Sequence, residues 1–100
     1  MTLYVVDHRL PGAAAADLEQ LREVLRDITR RLNETADEST QITFVRSTVI
    51  PGEHRCICVF EATSSDLVRR VNEIAQVRIS SLSEGLEYSM VLEPRGDRDD

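Results

Sequence analysis

Few side chains in this 100-residue chain could do chemistry, and most of them fall into two short stretches. Asp7 and His8 stand side by side near the start, while Arg46, His54, Cys56, Cys58 and Glu61 follow one another closely in mid-chain. Nickel or zinc needs imidazole, thiolate or carboxylate groups converging on one point. His8, Asp7 and Cys58 are the candidate metal ligands from this set. A Cys-x-Cys pair on a strand can offer two thiolates, because residues i and i+2 share a face. Their Cα atoms then lie roughly 6.5–7 Å apart, at or beyond the reach of a disulfide, so no bridge is expected. The competing reading makes both cysteines small core residues, since free Cys is among the most buried types. His54 reads as a turn residue, and His8 as either a ligand or the exposed end of a strand.

Arg46 and Glu61 carry opposite charges on strands that should pair. They form either a cross-strand ion pair or, within an enclosed space, a site for an anionic or polar ligand that a desolvated guanidinium recognises bidentately. With Asp7 they make up the candidate ligand-binding set. No triad, acid–base dyad or phosphate loop is present, so no catalytic residue is expected. Tyr88 falls in step with Leu86, Met90 and Leu92 and reads as packing. Arg95-Gly96-Asp97, Asn33-Glu34-Thr35 and the acids Glu34, Asp37 and Glu38 match adhesion, glycosylation and calcium motifs only by accident.

Composition narrows the function classes further. All twelve basic residues are arginine, which removes Schiff-base lysines and the phosphate-loop lysine. Eighteen acidic residues give a net charge of −6, the wrong sign for a nucleic-acid binder. Arg30-Arg31 and Arg69-Arg70, the densest basic spots, are flanked by acids and read as solvated helix faces. No apolar run approaches the ~20 residues of a membrane-spanning helix. The start has no basic n-region and too short an apolar run for a signal peptide, so the expected location is the cytoplasm.

The elements that must position these groups follow from periodicity. Leu3–His8 is short and β-branched and is stopped by Pro11-Gly12, which predicts a first strand. Leu18, Leu21, Leu25, Ile28 and Leu32 step by 3 and 4 along one helical face. Asn33–Gln41 reads as a loop. Ile42–Ile50 and Arg55–Ala62 alternate on either side of Pro51-Gly52, which predicts a hairpin closed by a type II turn. Ser64 or Ser65 caps a second helix with Leu67, Val71 and Ile74 inward. The stretch 76–85 is the least legible, and Leu86–Glu93 alternates as a last strand.

The resulting plan is α+β, β-α-β-β-α-β, with a four-stranded antiparallel sheet in the order 4-1-3-2 and both helices on one face. Residues 1–93 form one domain, and 94–100 a disordered tail. With Ile50 opposite Arg55, Val45, Ser47, Val49, Cys56, Cys58 and Phe60 face the helices. Phe44, Arg46, Thr48, Ile50, Arg55, Ile57, Val59 and Glu61 then form an open face too apolar to stand bare.

The strings Phe44-Val45-Arg46-Ser47-Thr48-Val49 and Cys56-Ile57-Cys58-Val59-Phe60-Glu61-Ala62, with the opening Tyr4-Val5-Val6-Asp7-His8, resemble a family of small bacterial domains of mostly undefined role. The resemblance spans about residues 3–92. It implies a ferredoxin-like fold, a dimer and nickel binding. Two departures stand out. Asn72 occupies the position matched to a histidine in the family's second helix, and Ala75-Gln76-Val77 stands where the family has a Gly-Leu-Pro turn.

The expectation is a homodimeric ferredoxin-like binding protein, paired through the sheet face and holding nickel or a small polar ligand there. The alternatives are a cofactor-free enzyme of the dimeric α+β barrel type, isomerase- or oxygenase-like, using Arg46 with His8 or Asp7, and a structural or regulatory interaction domain.

Overall fold

A computed structural model describes residues 1–35 and 37–86. The chain order is β1 (Thr2–Arg9), α1 (Ala15–Thr35), β2 (Ile42–Ile50), a 3₁₀ turn (Pro51–Glu53), β3 (Arg55–Ala62), α2 (Ser65–Ile74) and β4 (Ser81–Gly85). The four strands form one sheet in the order β2-β3-β1-β4, every neighbouring pair antiparallel. Read from the other edge, this is the expected 4-1-3-2 arrangement with two helices. Among the described residues no helix is long and apolar enough to cross a membrane.

The core lies between the helices and one sheet face. Leu18 and Leu25 of α1 and Val68 and Val71 of α2 meet Tyr4, Val6, Ile42, Cys56, Cys58, Phe60 and Ala62, all buried. Helix α1 presents its leucine stripe as the spacing requires: Leu21, Ile28 and Leu32 pack against this cluster from the margin. Thr29 is buried on the same stripe and satisfies its hydroxyl by donating to the Leu25 carbonyl, 2.7 Å away.

Several local expectations are corrected. Helix α1 continues through Asn33, Glu34 and Thr35, so the loop before β2 is shorter than the polarity of 33–41 indicated. The Asn33 amide explains why: it donates to the Ile42 carbonyl and accepts from the Ile42 N–H at 2.9 Å, joining the last helical turn to the first residue of β2. The hairpin closes through a 3₁₀ turn, not a type II turn, and its left-handed residue is His54 (φ 53°), not Gly52. Ile74 is exposed and Asn72 takes the inward place, because the α2 stripe runs through Val68, Val71 and Asn72.

Strand β4 forms from Ser81–Gly85, earlier than the patterned stretch 86–93. Leu86 lies just past its end, and the rest of that stretch, with Tyr88, Met90 and the tail at 94–100, falls outside the described residues.

The hairpin register is as expected at its closed end, Ile50 opposite Arg55. It then slips between Phe44 and Arg46, which pair with Phe60 and Val59 respectively. Val45 is the extra residue of a β-bulge and is exposed. The bulge reverses the facing on its far side. Phe44 therefore turns into the core and meets Phe60 edge to face, ring centroids 5.1 Å apart, while Val45 leaves the face it was expected to share with Ser47 and Val49.

Candidate functional site

Alternation along β1 separates the two adjacent candidates, Asp7 and His8. Asp7 pairs with Ile57 and therefore lies on the open face; His8 pairs with Cys56 and lies on the helix-covered face. The expected ligands His8, Asp7 and Cys58 are thus divided by the sheet, with Cys58 on the side of His8.

On the open face Asp7 is already committed. Arg55 forks onto it, Nε to Oδ1 at 3.3 Å and Nη2 to Oδ2 at 3.1 Å, and Arg9 adds a contact of 3.2 Å. The remaining arm of Arg55 reaches Glu53 at 2.8 Å. Burial by itself would raise the Asp7 carboxyl, but hydrogen bonds from Arg55 and Arg9 outweigh it and hold the group below the usual carboxylate range. A carboxylate clasped by two guanidiniums is a poor cation ligand, since both lone-pair sets and the local positive charge oppose it.

Arg46 and Glu61 share the open face one diagonal step apart, opposite Val59 and Thr43 respectively. Between these polar positions runs an apolar strip of Leu3, Val5, Ile50, Ile57 and Val59, assigned to one face by the register of three strands. Glu61 also lines an open groove of about 620 Å³ at the Thr2 end of the sheet, with Leu3, Glu84, Gly85 and Leu86. Among the described residues no hydrogen bond or ion pair engages the Glu61 carboxylate.

The helix-covered face holds a different set. His8 and both cysteines are fully buried, and the two sulfurs lie 3.7 Å apart, sharing one S–H···S hydrogen bond. That bond lowers the Cys56 thiol and, together with burial, pushes the Cys58 thiol far up. His8 Nδ1 lies 3.0 Å from the Arg78 carbonyl. A carbonyl can only accept, so Nδ1 carries the proton and Nε2 presents a bare lone pair, buried and with no partner. Burial lowers the His8 pKa, so the ring is neutral at pH 7. Asn72 donates its Nδ2 to the Val68 carbonyl at 2.7 Å and leaves Oδ1 buried and unpaired. The same segment links the two: Val77 N–H donates to the Asn72 carbonyl, and the next residue supplies the carbonyl that holds His8. His54, by contrast, donates from Nδ1 to the Ala13 carbonyl at 2.8 Å and clips the hairpin end to the β1–α1 loop.

Among the described residues no group of three or more His, Cys, Asp or Glu side chains is gathered so as to hold a metal ion. Arg55, Asn33 and the partner of His8 escape a sequence reading, because each acts through a contact distant along the chain. Asn72 does carry a sequence signal, standing at the position matched to a histidine in the family's second helix.

The family model described as "Nickel responsive protein SCO4226-like" matches residues 4–84. The chain belongs to this SCO4226-like family. The fold is also that of the crystal structure of SCO4226 from Streptomyces coelicolor A3(2): the TM-score is 0.68 at 19% identity, over 87% of this chain and 99% of that one. No curated protein matches the sequence. The matched segment runs from β1 to β4 and so includes both faces, the two cysteines and the Asp7–Arg55 pair.

Proposed function

We propose that this chain is a small homodimeric binding protein that pairs through its open sheet face and takes a nickel-class divalent cation there. The observation that carries the reading is the strip Leu3, Val5, Ile50, Ile57 and Val59 on a face without a helix, framed by Asp7, Arg46, Arg55 and Glu61. Val59 is buried and Leu3, Val5, Ile50 and Ile57 are half-buried; the apolar surface these four still present favours burial against a partner, and a second copy offers the same strip to itself across a two-fold axis. Glu61, on the open face beside Leu3, is the anionic donor for the cation. Arg46 frames the strip and meets polar groups of a ligand or of the facing copy, while Asp7 stays clasped by Arg55 and Arg9. The family's description as nickel responsive supports the choice of ion.

Nickel titration by calorimetry and light scattering test the two halves separately. Binding below roughly 100 μM and a dimer mass at micromolar concentration are expected. A monomer that Val5→Arg leaves unchanged in mass removes the pairing, and nickel affinity unaltered by Glu61→Gln removes the assigned donor.

A further inference from the structure

The open face is charged unevenly along its strands. The register puts Glu61 beside Leu3 at the Thr2 end and Arg55 beside Arg9 at the other, with Val59, Val5, Ile57 and Asp7 between. Glu61 is half-buried and, among the described residues, engaged by no hydrogen bond or ion pair. Arg9 spends only Nε on Asp7, and its side chain is 62% exposed, so both terminal nitrogens are open to a partner. One end therefore offers an acceptor and the opposite end offers donors. We infer that the second copy lies over this face with its strands reversed, its Arg9 and Arg55 meeting Glu61 at each end. A divalent cation at Glu61 then competes with those guanidiniums and loosens the pair. This arrangement rests on the pairing and the cation donor proposed above.

Sheets packed face to face commonly keep their strand directions aligned to within about 30°, with the layers roughly 10 Å apart. That leaves two two-fold arrangements centred on the apolar strip. An axis along the strands lays β3 over the partner's β1. Arg55 then faces the partner's Arg9, like against like, and the Glu61 carboxylate faces the partner's Leu3. An axis across the strands lays β3 over the partner's β3 with the ends exchanged. Glu61 then faces the partner's Arg55, with the partner's Arg9 beside it, while Val59 faces the partner's Ile57. Leu3 receives the aliphatic stem of the partner's Arg9. Charge complementarity thus selects the reversed arrangement, and the two-fold repeats the ion pair at both ends. A guanidinium fork occupies both oxygens of a carboxylate, so cation binding and pairing draw on the same atoms. By linkage each weakens the other to the same degree.

Sedimentation of the full-length chain gives the dimer dissociation constant. Raising sodium chloride from about 50 to about 500 mM is expected to weaken the wild-type pair several-fold, because charges near the surface are screened. Glu61→Arg and Arg9→Glu each raise the constant about tenfold or more, and the double variant returns it to within about threefold of wild type. Saturating nickel raises the wild-type constant about threefold or more and leaves that of Glu61→Gln unchanged. A double variant as weak as either single one overturns the reversed pairing. A nickel-loaded dimer as tight as the free one overturns the competition. If a charge reversal prevents folding, the salt series on the wild type decides, and a constant indifferent to salt overturns the pairing of charges. Each of these results leaves the earlier reading standing, whereas a wild-type monomer, or a chain that binds no nickel, removes both.

Discussion

His8 Nδ1 donates to the backbone carbonyl of Arg78 at 3.0 Å, tying the end of β1 to the connection that leads into β4. Ser80 reinforces the tie: its N–H donates to the Asp7 carbonyl at 2.8 Å, and its hydroxyl accepts from the Arg9 N–H at 3.0 Å. The short edge strand β4 is thus fixed from its leading end by a buried imidazole.

That imidazole makes stability depend on pH. The folded-state pKa of His8 lies below the ordinary 6.5, so the unfolded chain binds the proton first. Stability is complete above about pH 6.5 and falls as pH drops, by at most about 1.4 kcal/mol per pH unit from this group. Urea midpoints at pH 7.5 and 5.5 are expected to differ in the wild type and to converge in His8→Gln. An equal pH response in both chains contradicts this.

Asp7 responds in a lower window. Its folded pKa is depressed, so its contribution is full above the unfolded value near 3.8 and is lost as pH falls through the lower folded value. Asp7→Asn removes the acceptor shared by Arg9 and Arg55 and is expected to cost about 1–2 kcal/mol at pH 7. The acid limb of its unfolding curve below pH 4 should flatten accordingly.

Asn33 is the helical residue whose loss reaches a strand. Asn33→Ala strips both backbone partners from Ile42 at the head of β2, with an expected cost of about 1–3 kcal/mol. Hydrogen exchange should quicken first at Ile42, ahead of the α1 amides.

Helix α2 ends in a Schellman arrangement, Gln76 N–H to the Glu73 carbonyl and Val77 N–H to the Asn72 carbonyl, with Gln76 at φ 58° in the place glycine usually takes. Gln76→Gly therefore relieves a left-handed strain and is expected to stabilise by about 0.5–1 kcal/mol. Gln76→Val, being β-branched, should do the opposite. Thermal melts of the two variants on either side of the wild type would show it.

Phe44 and Thr48 test the bulge. With Phe44 against Phe60 in the core, Phe44→Ala should cost about 2–4 kcal/mol, whereas Thr48→Ala on the open face should stay within about 0.5 kcal/mol. Similar losses at both positions would contradict the register.

The central layers were legible because their patterns are strong. The leucine stripe of α1, the β-branched run of β1 and the hairpin around Pro51 identify the fold, its strand order and the inward cysteines. Strand β4 was not, because Ser81-Leu82-Ser83-Glu84-Gly85 has one apolar residue and gains its place by backbone pairing with β1. The better-patterned 86–93 carries the expectation of a strand instead, and all of it but Leu86 lies outside the described residues. Phe44 was misplaced because strict alternation cannot register an inserted residue. The facing of Asp7 and His8 depended on partners in β3 that no local pattern specifies, and the grip of Arg55 on Asp7 spans 48 positions.

The bulge also sets how β2 tolerates changes of length. Removing Val45 would give Ile42–Ile50 an uninterrupted in-and-out rhythm with every remaining side chain still on its present side, at the cost of some local twist. A deletion at Ser47 or Thr48 would instead swap the inner and outer residues of one half of the strand. Residue 45 is thus the place where β2 can lose a codon without turning itself inside out.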